Sequence, residues 1–187
     1  INSLDDVIAV NDPKHSEYGA PDFVFLKKSN RDVICGHAEA KDITVDLDKT
    51  EKSEQMQRYH GYANLILTDY LEFRFFRNGE KYETISLGYV KDGVLHKTPE
   101  NGERLMRQLD DFLQQTPEKI RSGRRLAHIM GGKARLIRDS IVQYLSDEKA
   151  SNSEFERIYE MMKKMLVHDL TPEKFADMYA QTLVYGL

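Results

Sequence analysis

The sequence predicts an α/β domain followed by an all-helical unit, and three observations carry that prediction. Between residues 22 and 87 the apolar residues come in short, β-prone runs, and Leu71 to Arg77 and Lys81 to Leu87 flank Asn78-Gly79. Both turn residues tolerate positive φ, which makes this the strongest hairpin signal in the chain. From Pro99 onward the period lengthens to that of a helix, with Leu105, Leu109, Phe112 and Leu113 on one stripe. Charge divides in the same region: residues 1–116 carry 15 Lys/Arg and 21 Asp/Glu, residues 117–187 carry 12 and 10. The boundary is expected after residue 98, giving domains at 1–98 and 99–187.

In order along the chain, Ile1 to Val10 reads as the tail of a helix truncated at its start, followed by a turn at Asn11-Asp12-Pro13. Phe23-Val24-Phe25-Leu26 is an apolar run of strand length, and Ser29-Asn30-Arg31 turns the chain into a returning strand that ends at Lys41. Its segment Val33-Ile34-Cys35-Gly36 is apolar throughout, as a strand buried on both faces would be. Asp42 to Asp48 is acidic and irregular; Thr50, Ser53 and Glu54 suggest a helix running to about Asn64, and Leu65-Ile66-Leu67-Thr68 a further core strand. Beyond the hairpin, apolar stripes at Ile120, Leu126, Ile129 and Met130, and at Ile137, Ile141 and Leu145, predict helices. Two more are expected over residues 153–167 and 171–185, the last opening on Thr171-Pro172-Glu173 with an N-cap and a proline at the first helical position.

Composition narrows the class. No apolar run approaches the ~20 residues of a membrane helix, and no charged-apolar-small leader is visible, so nothing argues for export or a membrane partner. The single Cys35 excludes an internal disulfide framework and a cysteine-based zinc site, which suits a cytoplasmic protein. Both ends read as cut, at Ile1 without a methionine and at the apolar run Leu183 to Leu187, so a fragment of a longer protein is expected.

The chemistry gathers between Asp22 and Tyr59. Alternate side chains of a strand share a face, which sets Val33, Cys35, His37, Glu39 and Lys41 on one side. With Asp22 opening the adjacent antiparallel strand, its carboxylate converges on Glu39 if the register allows. Facing carboxylates repel unless a cation lies between them, and a hard divalent ion such as Mg²⁺ takes such oxygen ligands. It would hold a phosphate oxygen and acidify a bound water. Lys41 would orient that water, hold the phosphate, or offset charge building on phosphorus. Gln55 and Tyr59, spaced i and i+4, project from one helix face toward the same target.

Pro21-Asp22, Glu39-Ala40-Lys41 and Gln55-x-x-x-Tyr59 together resemble the Asp, Glu-x-Lys and Gln-x-x-x-Tyr signature of the Mrr-like branch of the PD-(D/E)xK nuclease superfamily. Gly19-Ala20-Pro21-Asp22-Phe23 and the helical tail resemble, more narrowly, the amino-terminal region of single-chain restriction-modification enzymes of the Type ISP and Type IIG-like kinds. The resemblance implies a restriction-endonuclease-like core, a mixed sheet flanked by helices, ahead of a helical spacer. It implies Asp22, Glu39 and the Ala40 carbonyl as ligands of Mg²⁺, with Mn²⁺ as a substitute, Lys41 as catalytic lysine, and Gln55 and Tyr59 as supporting site residues. The partners it implies are double-stranded DNA, a transient dimer for double-strand cleavage, and methyltransferase and specificity domains in cis. S-adenosylmethionine and ATP would enter only through domains outside this sequence. Such nucleases often carry a further acidic residue on a helix before the first strand, and Glu17 is the nearest substitute.

Simpler readings stand beside these. Tyr59 reads equally as a half-buried helix residue, His37 as a packed strand histidine, and Cys35 as a small core residue. Gly131-Gly132-Lys133 lacks the spacing of a phosphate loop and reads instead as a helix break exposing Lys133 and Arg135. Met161, Met162 and Met165 read as core or interface. Lys119, Arg121, Arg124, Arg125, Lys133, Arg135 and Arg138 form a block without an acidic residue, which is either a DNA-backbone contact or a solvated face. The alternative to a nuclease is a non-catalytic DNA-binding and coupling module on the same fold.

Overall fold

A computed structural model describes residues 3–11, 21–114, 120, 122–146, 154–165 and 168–186. It divides into two compact units, residues 1–121 and 122–187.

In the first unit a 3-10 turn, Ser3–Asp6, leads into strand β1 (Val7–Asn11), followed by β2 (Phe23–Lys27) and β3 (Ile34–Ala40). Two short helices, α1 (Leu47–Glu51) and α2 (Glu54–Tyr59), precede β4 (Asn64–Thr68), β5 (Glu72–Arg77) and β6 (Glu80–Ser86). A separate ribbon, β7 (Gly88–Lys91) and β8 (Val94–Lys97), then a 3-10 turn over Pro99–Asn101, lead to α3 (Gly102–Leu113). The six-stranded sheet is ordered β1 to β6. Its β3–β4 pair is parallel and every other pair antiparallel. A parallel pair cannot be joined by a tight turn, so β3 must cross over to β4, and α1 and α2 make that crossover. The fold is therefore a mixed sheet with helices, followed by a helical region.

Four expectations for the first unit are corrected. Residues 7–11 form an edge strand rather than the tail of a helix, because the β-branched run Val7-Ile8-x-Val10 finds a ladder partner in residues 24–27 of β2. The single helix expected to about Asn64 is two, because α1 closes at its C-cap Lys52 and Ser53 caps α2, its hydroxyl accepting from the Met56 N–H at 3.3 Å. Asp46 caps α1 in the same way. In β3, Phe25 pairs with Gly36 but Leu26 with Ile34, so Cys35 is an extra residue in a bulge. The bulge breaks the alternation: Cys35 packs in the cluster that contains Ala38, off the face of Glu39.

The fourth correction concerns the boundary. Leu105, Phe112 and Leu113 of α3 pack on Cys35, Ala38, Ile66, Phe75 and Ile85 of the sheet, so α3 belongs to the first unit and the division falls at 121/122, not 98/99. Gly36 makes room for that helix, since a Cβ there would collide with the Phe112 ring. On the opposite face Leu65, Leu67 and Phe76 pack against Leu47, Met56 and Tyr59 of the crossover. Arg74 of β5 ties the crossover down, pairing with Glu51 at 2.7 Å and Asp48 at 2.8 Å while Glu72 holds its Nε at 2.5 Å. Burial opposes its charge, but the three carboxylates outweigh that and keep the guanidinium protonated. Asn78 and Gly79 take positive φ, 47° and 79°, as the hairpin requires.

The second unit holds α4 (Gly123–Ser146), α5 (Glu154–Met165) and α6 (Pro172–Tyr185). Ile141, Tyr159, Leu170, Phe175 and Ala176 form its core, and the Tyr159 hydroxyl donates to the Leu170 carbonyl at 3.0 Å. The helix break expected at Gly131-Gly132 does not occur: α4 runs through it, Gly132 is buried, and a Cβ at Gly131 would lie 3.9 Å from the Tyr185 hydroxyl. That distance is ordinary contact, and the helix continues through both glycines because glycine lowers helix propensity without forbidding a helix. Met162 packs against the core, whereas Met161 and Met165 are exposed. No helix among the described residues is long and apolar enough to cross a membrane.

Candidate active site

The crossover that joins β3 to β4 also builds the site. Glu39 and Ala40 end β3, and the Lys41 N–H donates to the Thr68 carbonyl at 2.8 Å, extending the parallel ladder by one residue. Asp22 sits just before β2, and its Oδ2 accepts from the Ala40 N–H at 2.9 Å, which fixes it against the strand that carries Glu39. From α2, Gln55 reaches across: its amide donates to Glu39 Oε1 at 2.9 Å and to the Tyr59 hydroxyl at 2.9 Å, while its carbonyl accepts from Lys41 Nζ at 3.3 Å. Lys41 Nζ is 2.5 Å from Glu39 Oε1. The five residues singled out in sequence thus meet around one carboxylate.

Lys41 and Gln55 both meet Glu39 Oε1, and among the described residues no hydrogen bond of ordinary geometry reaches the buried Oε2, although the Asp22 backbone N–H lies near enough to the carboxyl to favour its charge. Glu39 as a whole is 2% exposed. A carboxylate oxygen buried in this way costs free energy unless something positive meets it. Burial pushes the Glu39 carboxyl up from the ordinary range; the bond and charge of Lys41 pull it down, and Asp22 acts both ways, its charge raising the carboxyl and its backbone N–H lowering it. Asp22 is therefore close enough to repel Glu39. Among the described residues no three His, Cys, Asp or Glu side chains converge, so a cation here would be held by Asp22, Glu39 and backbone oxygen. The buried Oε2, the repulsion between the carboxylates and an all-oxygen donor set fit Mg²⁺ or Mn²⁺.

Tyr59 is 1% exposed, and burial, with the charge of Glu39, raises its hydroxyl pKa, so it stays a neutral phenol. It is at once a core residue and a partner of Gln55. His37 shares the Glu39 face but packs against Tyr62, ring centroids 3.9 Å apart and the rings tilted by 35°. Burial lowers it to about 4, against a hydrogen bond with the Asn64 backbone, so at neutral pH it is an uncharged wall residue. Tyr62, which contacts both His37 and Tyr59, was not singled out in sequence, although it follows Tyr59 by three residues.

No known protein family matches the chain, and no curated protein matches it. Among solved structures, a chain in a cryo-EM structure of a DrdV–DNA complex is similar at 16% identity and a TM-score of 0.37, over 96% of this chain. This chain spans 17% of that chain's length.

Glu17, Lys119 and Arg121 lie outside the described residues. Arg124, Arg125, Lys133, Arg135 and Arg138 are all on α4, in the second unit. At about 100° per residue, Arg124, Arg135 and Arg138 fall on one stripe of that helix and Lys133 on the opposite side. Arg138 pairs with Asp139 at 2.7 Å. The basic block is thus not one face.

Proposed function

We propose that the first unit is the Mg²⁺-dependent DNA endonuclease module of a restriction-modification enzyme, built on a restriction-endonuclease-like core. One arrangement carries the reading: Glu39 has one oxygen held by Lys41 and Gln55, the other buried without a hydrogen bond of ordinary geometry among the described residues, and Asp22 beside it. A divalent ion held by Asp22, Glu39 and the Ala40 carbonyl would supply Lewis-acid charge to a phosphate oxygen and acidify water. Lys41 brings an ammonium to the same carboxylate with its side chain 25% exposed, open to a phosphate as the buried Glu39 is not. Gln55 holds Lys41 and Glu39 in register without adding charge, and Tyr59 fixes Gln55 from the core side.

In this reading the substrate is double-stranded DNA, cut on both strands by a transient dimer, and the protein works in the cytoplasm. The helical unit is a spacer to methyltransferase and specificity domains in cis, which would bring S-adenosylmethionine and, where a motor is present, ATP.

The test is plasmid nicking by the full-length protein, with and without Mg²⁺, for the parent and for Asp22→Asn, Glu39→Gln and Lys41→Ala. The expected outcome is cutting that needs the ion and is lost in all three variants. Cutting that survives Lys41→Ala overturns the site. Retention of DNA with no cutting under Mg²⁺ or Mn²⁺ is the outcome of the non-catalytic alternative.

A further inference from the structure

We infer that the β7–β8 ribbon, with Tyr70, is a duplex-DNA contact that seats the substrate across the sheet end bearing Glu39 and Lys41; this rests on the endonuclease reading. The ribbon stands apart from the main sheet, and an isolated two-stranded hairpin is marginal in water. This one is nevertheless tightly specified. Asp92 and Gly93 turn it with φ of 52° and 75°, and a Cβ at Gly88 would strike the His96 carbonyl. Tyr89 and His96 stack across the strands at 5.0 Å and 13°.

Every residue of β8, and β7 from Tyr89 on, is exposed, including Tyr89, Val90, Val94 and Leu95. Among the described residues no core lies behind the ribbon on either face, a shape suited to entering a groove. Two strands ~4.8 Å apart fit a major groove ~12 Å wide. Lys91 and Lys97 outnumber the one carboxylate, Asp92, which favours a polyanion over an apolar protein surface.

The register places it. Ala40 pairs with Thr68, Thr68 with Phe73, and Glu72 with Ser86, so the end of β3 that carries Glu39 is the end at which β6 finishes. The ribbon starts two residues later, at Gly88. Three strand spacings, roughly 14 Å, separate β3 from β6. Between them, at the β4–β5 turn, Tyr70 is 57% exposed with φ 69°. A non-glycine residue there is strained, and the turn imposes it: Thr68 Oγ1 accepts from the Tyr70 N–H at 2.8 Å, and Asp69 Oδ1 from the Leu71 and Glu72 N–H groups. Lys41, Tyr70 and the ribbon therefore line one edge, and tyrosine hydroxyls and lysines are common donors to DNA phosphates.

The test measures binding of a labelled short DNA duplex by the full-length protein over a salt series, beside Mg²⁺-dependent cleavage. Lys91→Ala/Lys97→Ala is expected to weaken binding roughly tenfold and lower the salt slope by ~1.8. Tyr70→Ala and Gly88→Ala weaken binding too, the latter by distorting the ribbon, and Mg²⁺-dependent cleavage at sub-saturating DNA falls in step with binding. Parent-like affinity and slope in the lysine and Tyr70 variants overturn the inference while leaving the endonuclease reading intact. Loss of self-association in place of DNA binding also overturns it, by making a second copy the occupant. Weakened binding by the variants of a parent that does not cut supports the ribbon contact and removes the endonuclease reading. A parent that binds no DNA overturns both.

Discussion

Gln55 donates its amide to Glu39 Oε1 at 2.9 Å, and that bond decides which carboxylate oxygen is left over. With Lys41 on the same oxygen, Oε2 is the oxygen that no hydrogen bond of ordinary geometry holds among the described residues, and so the one turned to a cation. Gln55→Ala removes the bond that orients the carboxylate and leaves the Tyr59 hydroxyl without its Gln55 partner. The Mg²⁺ concentration for half-maximal cleavage is expected to rise about 10–100-fold, the usual effect of losing a group that orients a ligand. Gln55→Glu is expected to be worse, since it sets a second carboxylate against Oε1. A Mg²⁺ titration of plasmid nicking reads both; an unchanged midpoint in Gln55→Ala removes Gln55 from the site.

The wall behind that carboxylate sets a pH dependence. His37 falls from its ordinary 6.5 to about 4 on folding, so the unfolded chain binds its proton more readily. Stability from this group is therefore complete above pH ~6.5 and is lost as pH falls through about 4, by at most about 3 kcal/mol. Glu39 acts in the opposite sense: its folded pKa is raised by burial, so its contribution is complete below the ordinary glutamate value and is lost as pH rises through the folded one. His37→Phe keeps a ring against Tyr62 and removes the first effect. In denaturant titrations without divalent ions, followed by amide exchange in β3 and β4, the variant should lose less stability than the parent between pH 6.5 and 4. Equal losses would place the acid sensitivity elsewhere.

Much of this geometry is legible in the sequence because it is local. The i, i+4 spacing puts Gln55 and Tyr59 on one face, and strand alternation puts Glu39 beside Lys41. What escapes local reading depends on partners distant in sequence. Val7 to Asn11 becomes a strand because β2 is there to pair with it, and α3 leaves the helical unit because the sheet offers Leu105, Phe112 and Leu113 a surface. The bulge at Cys35 is a register effect between two strands, invisible to a period-two count along one. Gly131-Gly132 misleads because glycine lowers helix propensity without forbidding a helix, and tertiary packing decides.

Gly36 is where the α3 interface is tightest, with Phe112 over it and Phe25 and Phe75 edge-on to the same ring at 6.0 Å. Gly36→Ala must push a fully buried ring, and overpacking of that kind costs about 1–3 kcal/mol. Phe112→Leu shortens the obstacle. The double variant is expected to be more stable than the sum of the two single losses predicts, a coupling that a thermal-unfolding double-mutant cycle measures directly. Additive losses would mean that α3 relaxes away from the sheet without strain.

On α4 the arginines make a claim that helix geometry can test. Arg124 and Arg135 are exposed, lie three turns apart and share a stripe, whereas Lys133 points to the other side. If the stripe tracks a DNA backbone, Arg124→Ala/Arg135→Ala flattens the dependence of DNA affinity on salt by ~1.8 in log–log slope, while Lys133→Ala leaves it unchanged. The lysine control matters because loss of net positive charge alone would affect all three sites alike. Anisotropy titrations with a labelled duplex across a salt series separate the outcomes. Equal flattening by Lys133→Ala points to a diffuse field around the helix, and no flattening in either variant returns these arginines to a solvated face.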